Sequence, residues 1–248
     1  MTAPSPIAFT VFNTDIRWYG ILIATGILLA IILSSKRFAG HNLKTDDLTD
    51  IALICVPIGV IGARLYYVIF QWESYRYDLI KILDIRSGGL AIHGGLILGI
   101  LSAYFVCRYK KIHFLDALDA VIPGICIAQS IGRWGNFFNS EAHGGITDLP
   151  WAINVNGSMV HPTFLYESIW CLILFFFLSH IDNNRKFVAQ TSLLYGILYS
   201  SERFFVEGLR TDSLMLGPFK QAQVLSAFII LICIVLYIIL RKKHIEKS

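Results

Sequence analysis

Residues Gly132 to Gly144 read GRWGNFFNSEAHG, which sets Arg133, Asn136, Asn139 and Glu141 at the end of a segment otherwise apolar enough to lie in a bilayer. Burying such groups in hydrocarbon costs several kcal/mol unless they are paired or face a polar cavity, so a cluster of them points to work on something polar inside the lipid. A second arginine carries the reading further. Wound at about 100° per residue, Tyr199, Arg203, Glu207 and Arg210 cover an arc of about 80° on one helix face. Gln129, Arg133 and Asn136 share a face by the same count. Two polar faces, each presenting an arginine, can converge on one anion. Phosphate suits them, because the guanidinium fork donates two parallel hydrogen bonds and keeps its charge when desolvated. His93 lies in GGLAIHGGLILG, among glycines that clear space for a substrate. It serves either proton transfer or an interhelical hydrogen bond. The competing account of the arginines is structural ion pairing. Arg203 and Glu207 have i,i+4 spacing, and Glu202 and Glu141 are further partners, but Arg64 and Arg133 are then left to be matched.

The elements that position these residues follow from composition. Of 248 residues, 55% are hydrophobic and 15% charged, against roughly a quarter charged in a soluble domain. An all-α integral membrane protein is therefore predicted, with no nucleic-acid partner expected, and a net charge of +4 suggests a mild preference for anionic lipid faces. Seven segments have the length and apolarity to span: Trp18–Ser35, Leu48–Phe70, Gly88–Cys107, Phe114–Phe138, Thr163–Ile181, Thr191–Gly208 and Gly217–Leu240. The opening MTAPSPIAFTVFN has no basic n-region, so the first span is expected to be retained. The five cysteines fall in or beside spans without metal spacing and are read as packing residues, so no metal is expected. We read residues 1–248 as a single polytopic domain.

Lysine and arginine placement orients it. One set of connections carries twelve of these residues and the other six, with Arg64, Arg133 and Arg203 inside spans. By the positive-inside rule the C-terminus is cytoplasmic and, with seven spans, the N-terminus is outside. The external loop at 139–162 contains neither lysine nor arginine, and its WAINVNGSMVH centres on Asn156-Gly157, a two-residue hairpin signal. A small external cap containing a β-hairpin is expected there. Gly95 and Gly99, with Gly59 and Gly62, permit close helix packing. With this orientation Tyr19, Arg64, His93, Arg133, Asn136, Tyr166, Glu167, Arg203 and Glu207 all fall in the outer half of the membrane. A transporter for a small anion or an anionic lipid would need polar groups continuing to the cytoplasmic side, where Asp116 and Asp119 are the main examples. A lipid receptor without turnover is the third reading.

The quoted residues resemble the prolipoprotein diacylglyceryl transferase family. Gly132–Gly144 fits the family pattern G-R-x-G-N-F-x-N-x-E-x-x-G at every fixed position, and RWYG at Arg17–Gly20, HGG at His93–Gly95, HPTFLYE at His161–Glu167 and RFFVEGLRTDS at Arg203–Ser213 follow in the family's order. Two features depart from it: a short external loop, and Glu202 directly before the arginine. The resemblance implies a multi-pass enzyme of the bacterial cytoplasmic membrane with its site toward the outer leaflet. It implies transfer of a diacylglyceryl group from phosphatidylglycerol to the lipobox cysteine of a prolipoprotein, without cofactor. Arg133 and Arg203 are then expected to hold the lipid phosphate. His93 takes the thiol proton or polarises the head group, and a glutamate is an alternative base. Tyr19, Asn136, Glu141, Gly144, Tyr199, Glu207 and Arg210 orient or bind the lipid.

Overall fold

The computed structural model describes residues 2, 4–85 and 88–246, and within these the chain is mostly helical. The long helices are α1 (Trp18–Gly40), α2 (Thr45–Phe70), α3 (Ile92–Tyr109), α4 (Phe114–Phe138), α5 (Thr163–Asn183), α6 (Gln190–Leu209) and α7 (Gln221–Ile245). Among the described residues six of them, all but α6, are long and apolar enough to cross a membrane. Leu53, Ile69, Phe105 and Leu231 are each more than 60% exposed, an outward surface that only lipid would cover. The weakness of α6 by the same measure comes from its cargo: Tyr199, Glu202, Arg203 and Glu207 interrupt its apolar run.

The chain forms two compact units, one of the residues up to Arg37 together with those from Leu118 onward, the other of Phe38–Ala117. In the first, α1 lies close on α4: a Cβ at Gly26 would come within 3.1 Å of the Ala128 backbone, and one at Gly124 within 2.7 Å of the Ala30 carbonyl. Ile122, Cys126, Leu174 and Leu178 bury together under Trp170, Tyr195 and Tyr199. The N-terminus of α6 is fastened by Asp119, a wholly buried α4 carboxylate. It accepts from the Ala189 and Ser192 amides at 2.8 Å each, the Ser192 hydroxyl at 2.6 Å and Arg185 Nη1 at 3.0 Å. A carboxylate at a helix N-terminus meets amides that lack intrahelical partners. Asp119 is thus a structural clamp.

Three antiparallel hairpins complete this unit: β1 (Ile7–Val11) with β2 (Thr14–Arg17), β3 (Ile153–Val155) with β4 (Ser158–Val160), and β5 (Met215–Leu216) with β6 (Phe219–Lys220). The β3–β4 turn is Asn156-Gly157, with φ of 52° and 86°, the left-handed pair that a two-residue turn requires. Phe137, Ile153, Val155, Val160 and Phe164 pack beneath it with Trp134.

In the second unit α2 and α3 pair through glycine, though not through the Gly95–Gly99 spacing alone. Gly62 meets Gly94, where a Cβ would fall 2.5 Å from the Gly94 carbonyl, and Gly99 faces open space. The third predicted span also starts late. Gly88 and Gly89 have φ of 96° and 74°, so the helix begins at Ile92 and His93 sits in its first turn. Arg64, which the sequence leaves in want of a carboxylate, has none as its partner among the described residues. Its buried guanidinium donates to the carbonyls of Ile82 (2.9 Å), Gly88 (2.9 Å), Gly89 (3.0 Å), Lys81 (2.5 Å) and Asp84 (2.8 Å). All five N–H donors of the fork are thereby used.

Candidate functional site

Arg133 near the end of α4, Glu167 in the first turns of α5, and Arg203 on α6 form one cluster in the first unit. Glu167 is wholly buried and bridges the two arginines: Oε2 lies 3.1 Å from Arg133 Nη1 and Oε1 2.7 Å from Arg203 Nη1. Arg133 Nη2 donates to the Tyr199 hydroxyl at 2.9 Å. Arg203 Nη2 pairs with Glu207 Oε2 at 2.5 Å, so the i,i+4 pair read from the sequence does form. The two polar helix faces therefore converge as the face counting requires, with Gln129 accepting from Tyr195 at 2.9 Å one turn away.

The arrangement keeps spare capacity. The side chains of Arg133 and Arg203 are 20% and 19% exposed, while Glu167 is 0%. A guanidinium carries five donors, and the contacts to Glu167, Glu207 and Tyr199 engage Nη1 and Nη2 of each arginine once apiece. Each arginine is thus tied at its terminal nitrogens with further donors to spare, and about a fifth of its side chain stays exposed. Two such forks fixed to one carboxylate are pre-oriented for an anion bearing several oxygens, and charge developing on it is stabilised without reorganisation. Glu202, next to Arg203, buries both carboxylate oxygens, and neither has a hydrogen-bond partner among the described residues. Groups of three or more His, Cys, Asp or Glu fit to hold a metal are absent among the described residues.

The remaining sequence-predicted residues divide. Tyr19 lays its ring on Gly135, where a Cβ would approach its Cε2 to 3.0 Å, so it belongs beside α4 two residues along from Arg133. Asn136 follows on α4, and its carbonyl accepts from the Glu141 amide at 3.0 Å. Glu141 is exposed and accepts from Asn139 at 3.2 Å rather than meeting an arginine. Gly144 is where the loop after α4 crosses the end of α6. It donates to the His161 carbonyl at 2.9 Å, and the next amide, Gly145, donates to the Leu209 carbonyl at 3.0 Å. A Cβ at Gly144 would sit 2.7 Å from that of His161; glycine is required by close approach. Arg210 leaves the predicted face because α6 ends at Leu209. It forms a bidentate pair with Asp212 at 2.9 and 2.7 Å, and that hydrogen bonding holds the Asp212 carboxyl below the ordinary carboxylate range. His93 belongs to the second unit, where its ring lies 5.9 Å from that of Tyr66.

Sequence reasoning missed that Glu167 is the bridge. Spacing puts Glu167 near the start of its span, but a contact between helices cannot be read from spacing within one helix.

A family model described as prolipoprotein diacylglyceryl transferase matches residues 6–239. Proteins named phosphatidylglycerol–prolipoprotein diacylglyceryl transferase are similar over nearly the whole length. One from Clostridioides difficile is 51% identical over 96% of both chains. One from Clostridium novyi is 50% identical over 94% of this chain and 95% of its own, and one from Finegoldia magna is 46% identical over 98% of both. The chain belongs to the prolipoprotein diacylglyceryl transferase family.

Proposed function

We propose that this chain transfers the sn-1,2-diacylglyceryl group of phosphatidylglycerol to the lipobox cysteine thiol of a prolipoprotein, forming a thioether and releasing glycerol phosphate. This is the first step of bacterial lipoprotein maturation. The observation that carries the reading is the pair of arginines on one buried carboxylate, each with about a fifth of its side chain exposed. It is supported by the family and by the substrates in the relatives' names.

In this reading Arg133 and Arg203 grip the lipid phosphate, and Tyr199 and Glu207 fix their orientation. Tyr19, Asn136, Glu141, Gly144 and Arg210 shape the surroundings of the head group. An ordinary cysteine has a pKa of about 8.5, so only a few per cent is thiolate at neutral pH. A base takes the thiol proton, the role the resemblance gives to His93 or to a glutamate, and the sulfur closes a bond to the glycerol carbon that bears the phosphate. The C–O bond to phosphate breaks, and its electron pair leaves on the phosphate oxygen, where the arginines stabilise the charge. The reaction as written needs no cofactor. The chain works as one polytopic membrane domain with seven spans, α6 included, the N-terminus outside and the C-terminus cytoplasmic. The 139–162 segment forms an external cap, and the site opens toward the outer leaflet of the bacterial cytoplasmic membrane.

Purified protein, phosphatidylglycerol and a lipobox peptide provide the test, read by peptide mass. The expected gain is one diacylglyceryl group, missing with a cysteine-to-serine peptide and with Arg203→Ala protein. Bound lipid without any mass gain would instead favour a receptor or transporter.

A further inference from the structure

Helix α6 brings Tyr199, Arg203 and Glu207 to the arginine cluster, and it brings them at its C-terminal end. That is the unfavourable end for an anion. The last carbonyls of a helix lack intrahelical partners, and the macrodipole leaves about half a negative charge there. Anion sites favour the opposite terminus.

Lys220 closes this end. It is the last residue of β6, immediately before α7. Its Nζ donates to the carbonyls of Glu207 at 2.7 Å, Arg210 at 2.7 Å and Gly208 at 3.2 Å. Gln223, a little further along, donates to the Phe204 carbonyl at 3.1 Å. An ammonium has three donors, and each has a backbone carbonyl, so Lys220 offers nothing further to a substrate. Its charge is what it contributes. Among the described residues the other cations at this end are matched by carboxylates: Arg133 and Arg203 by Glu167 and Glu207, and Arg210 by Asp212. Glu202 adds a further carboxylate with no hydrogen-bond partner.

We propose that Lys220 is a positioning residue for the phosphate site: its ammonium cancels the negative end of α6 and locks the last turn, so that Arg203 and Glu207 are held ready for an anionic headgroup. The inference rests on the function proposed above, because it takes phosphatidylglycerol as the ligand. It assigns Lys220 no contact with the lipid and no part in proton transfer.

The test measures KM and kcat for phosphatidylglycerol in membranes carrying Lys220→Gln or Lys220→Arg protein, where KM does not depend on how much protein folds. Loss of the charge in Lys220→Gln is expected to raise KM about five- to tenfold, with kcat within about threefold of wild type. Lys220→Arg keeps a multi-donor cation and is expected to stay within about twofold in KM. A merely structural cap would lower the amount of active protein and leave KM alone. An unchanged KM in Lys220→Gln overturns the inference, as does an equal rise in Lys220→Gln and Lys220→Arg, which would mean packing rather than charge. Wild-type protein that transfers no lipid overturns the proposed function and this inference together, whereas wild-type turnover with an unmoved KM overturns this inference alone.

Discussion

Arg64 in one unit and the Arg133–Arg203 pair in the other are all largely buried, yet their surroundings differ in kind. Arg64 meets five backbone carbonyls and has no donor left. Arg133 and Arg203 share one carboxylate, lean on Tyr199 and Glu207, and each keep about a fifth of the side chain exposed. The carbonyl cage neutralises a charge by dipoles that belong to the loop itself, so removing it unravels the loop. The carboxylate bridge shares one buried anion between two charges, with Glu207 balancing the second, and leaves about a fifth of each arginine side chain exposed. A buried arginine in a membrane protein is therefore not by itself a binding residue; the unused donors are what distinguish one.

The largest effect that would break this comparison is at Arg203. Arg203→Ala is expected to lower the transfer rate at saturating lipid about a thousandfold, the upper range for removing one charge-stabilising group. Arg203→Lys, which keeps charge but loses the fork, is expected to lose about a hundredfold. Rates of peptide lipidation measure both, and a change under tenfold in Arg203→Ala would remove the arginine pair from the mechanism. Arg64→Lys is expected to behave oppositely. Three donors cannot satisfy five carbonyls, and unpaired buried groups cost about 1–3 kcal/mol each, so thermal stability in detergent falls while KM for phosphatidylglycerol holds. A raised KM at unchanged stability would make Arg64 an anion ligand and erase the contrast.

How far the sequence carries the fold depends on which physical signal each element uses. Apolar length placed α1, α2, α4, α5 and α7 to within a few residues at most ends. The start of α3 was missed because Gly88 and Gly89 adopt left-handed φ and belong to the loop that Arg64 gathers. The Asn156-Gly157 turn is legible from side-chain chemistry. The β1–β2 hairpin was overlooked although its signal is present: IAFTVFNTDIR alternates, and Phe12 and Asn13 turn with φ of 47° and 60°. At the site, winding α6 and α4 by angle found Arg133, Tyr199, Arg203 and Glu207. It failed at Arg210, where the helix stops, and for Glu167, whose role exists only across three helices. Lys220 is of the same kind, since its partners are carbonyls and leave no trace in residue types.

Glu202 offers the smallest and sharpest test of the comparison, because it is the mirror case: a buried carboxylate beside the arginine cluster with neither oxygen hydrogen-bonded among the described residues. An anion entering between Arg133 and Arg203 already shares them with Glu167, and whatever negative charge Glu202 carries opposes it. Removing that charge while keeping the shape should therefore help the lipid bind. Glu202→Gln is expected to lower KM for phosphatidylglycerol about two- to threefold, the scale of one unit charge acting at an effective dielectric well above that of dry protein. The same substitution relieves an unpaired buried carboxylate and is expected to raise the thermal midpoint. Lipid titrations of the transfer rate and a melting curve decide it. If KM rises instead, the carboxylate is accepting hydrogen bonds from the head group's glycerol hydroxyls. Spare acceptors, and not only spare donors, would then mark the residues that meet the substrate.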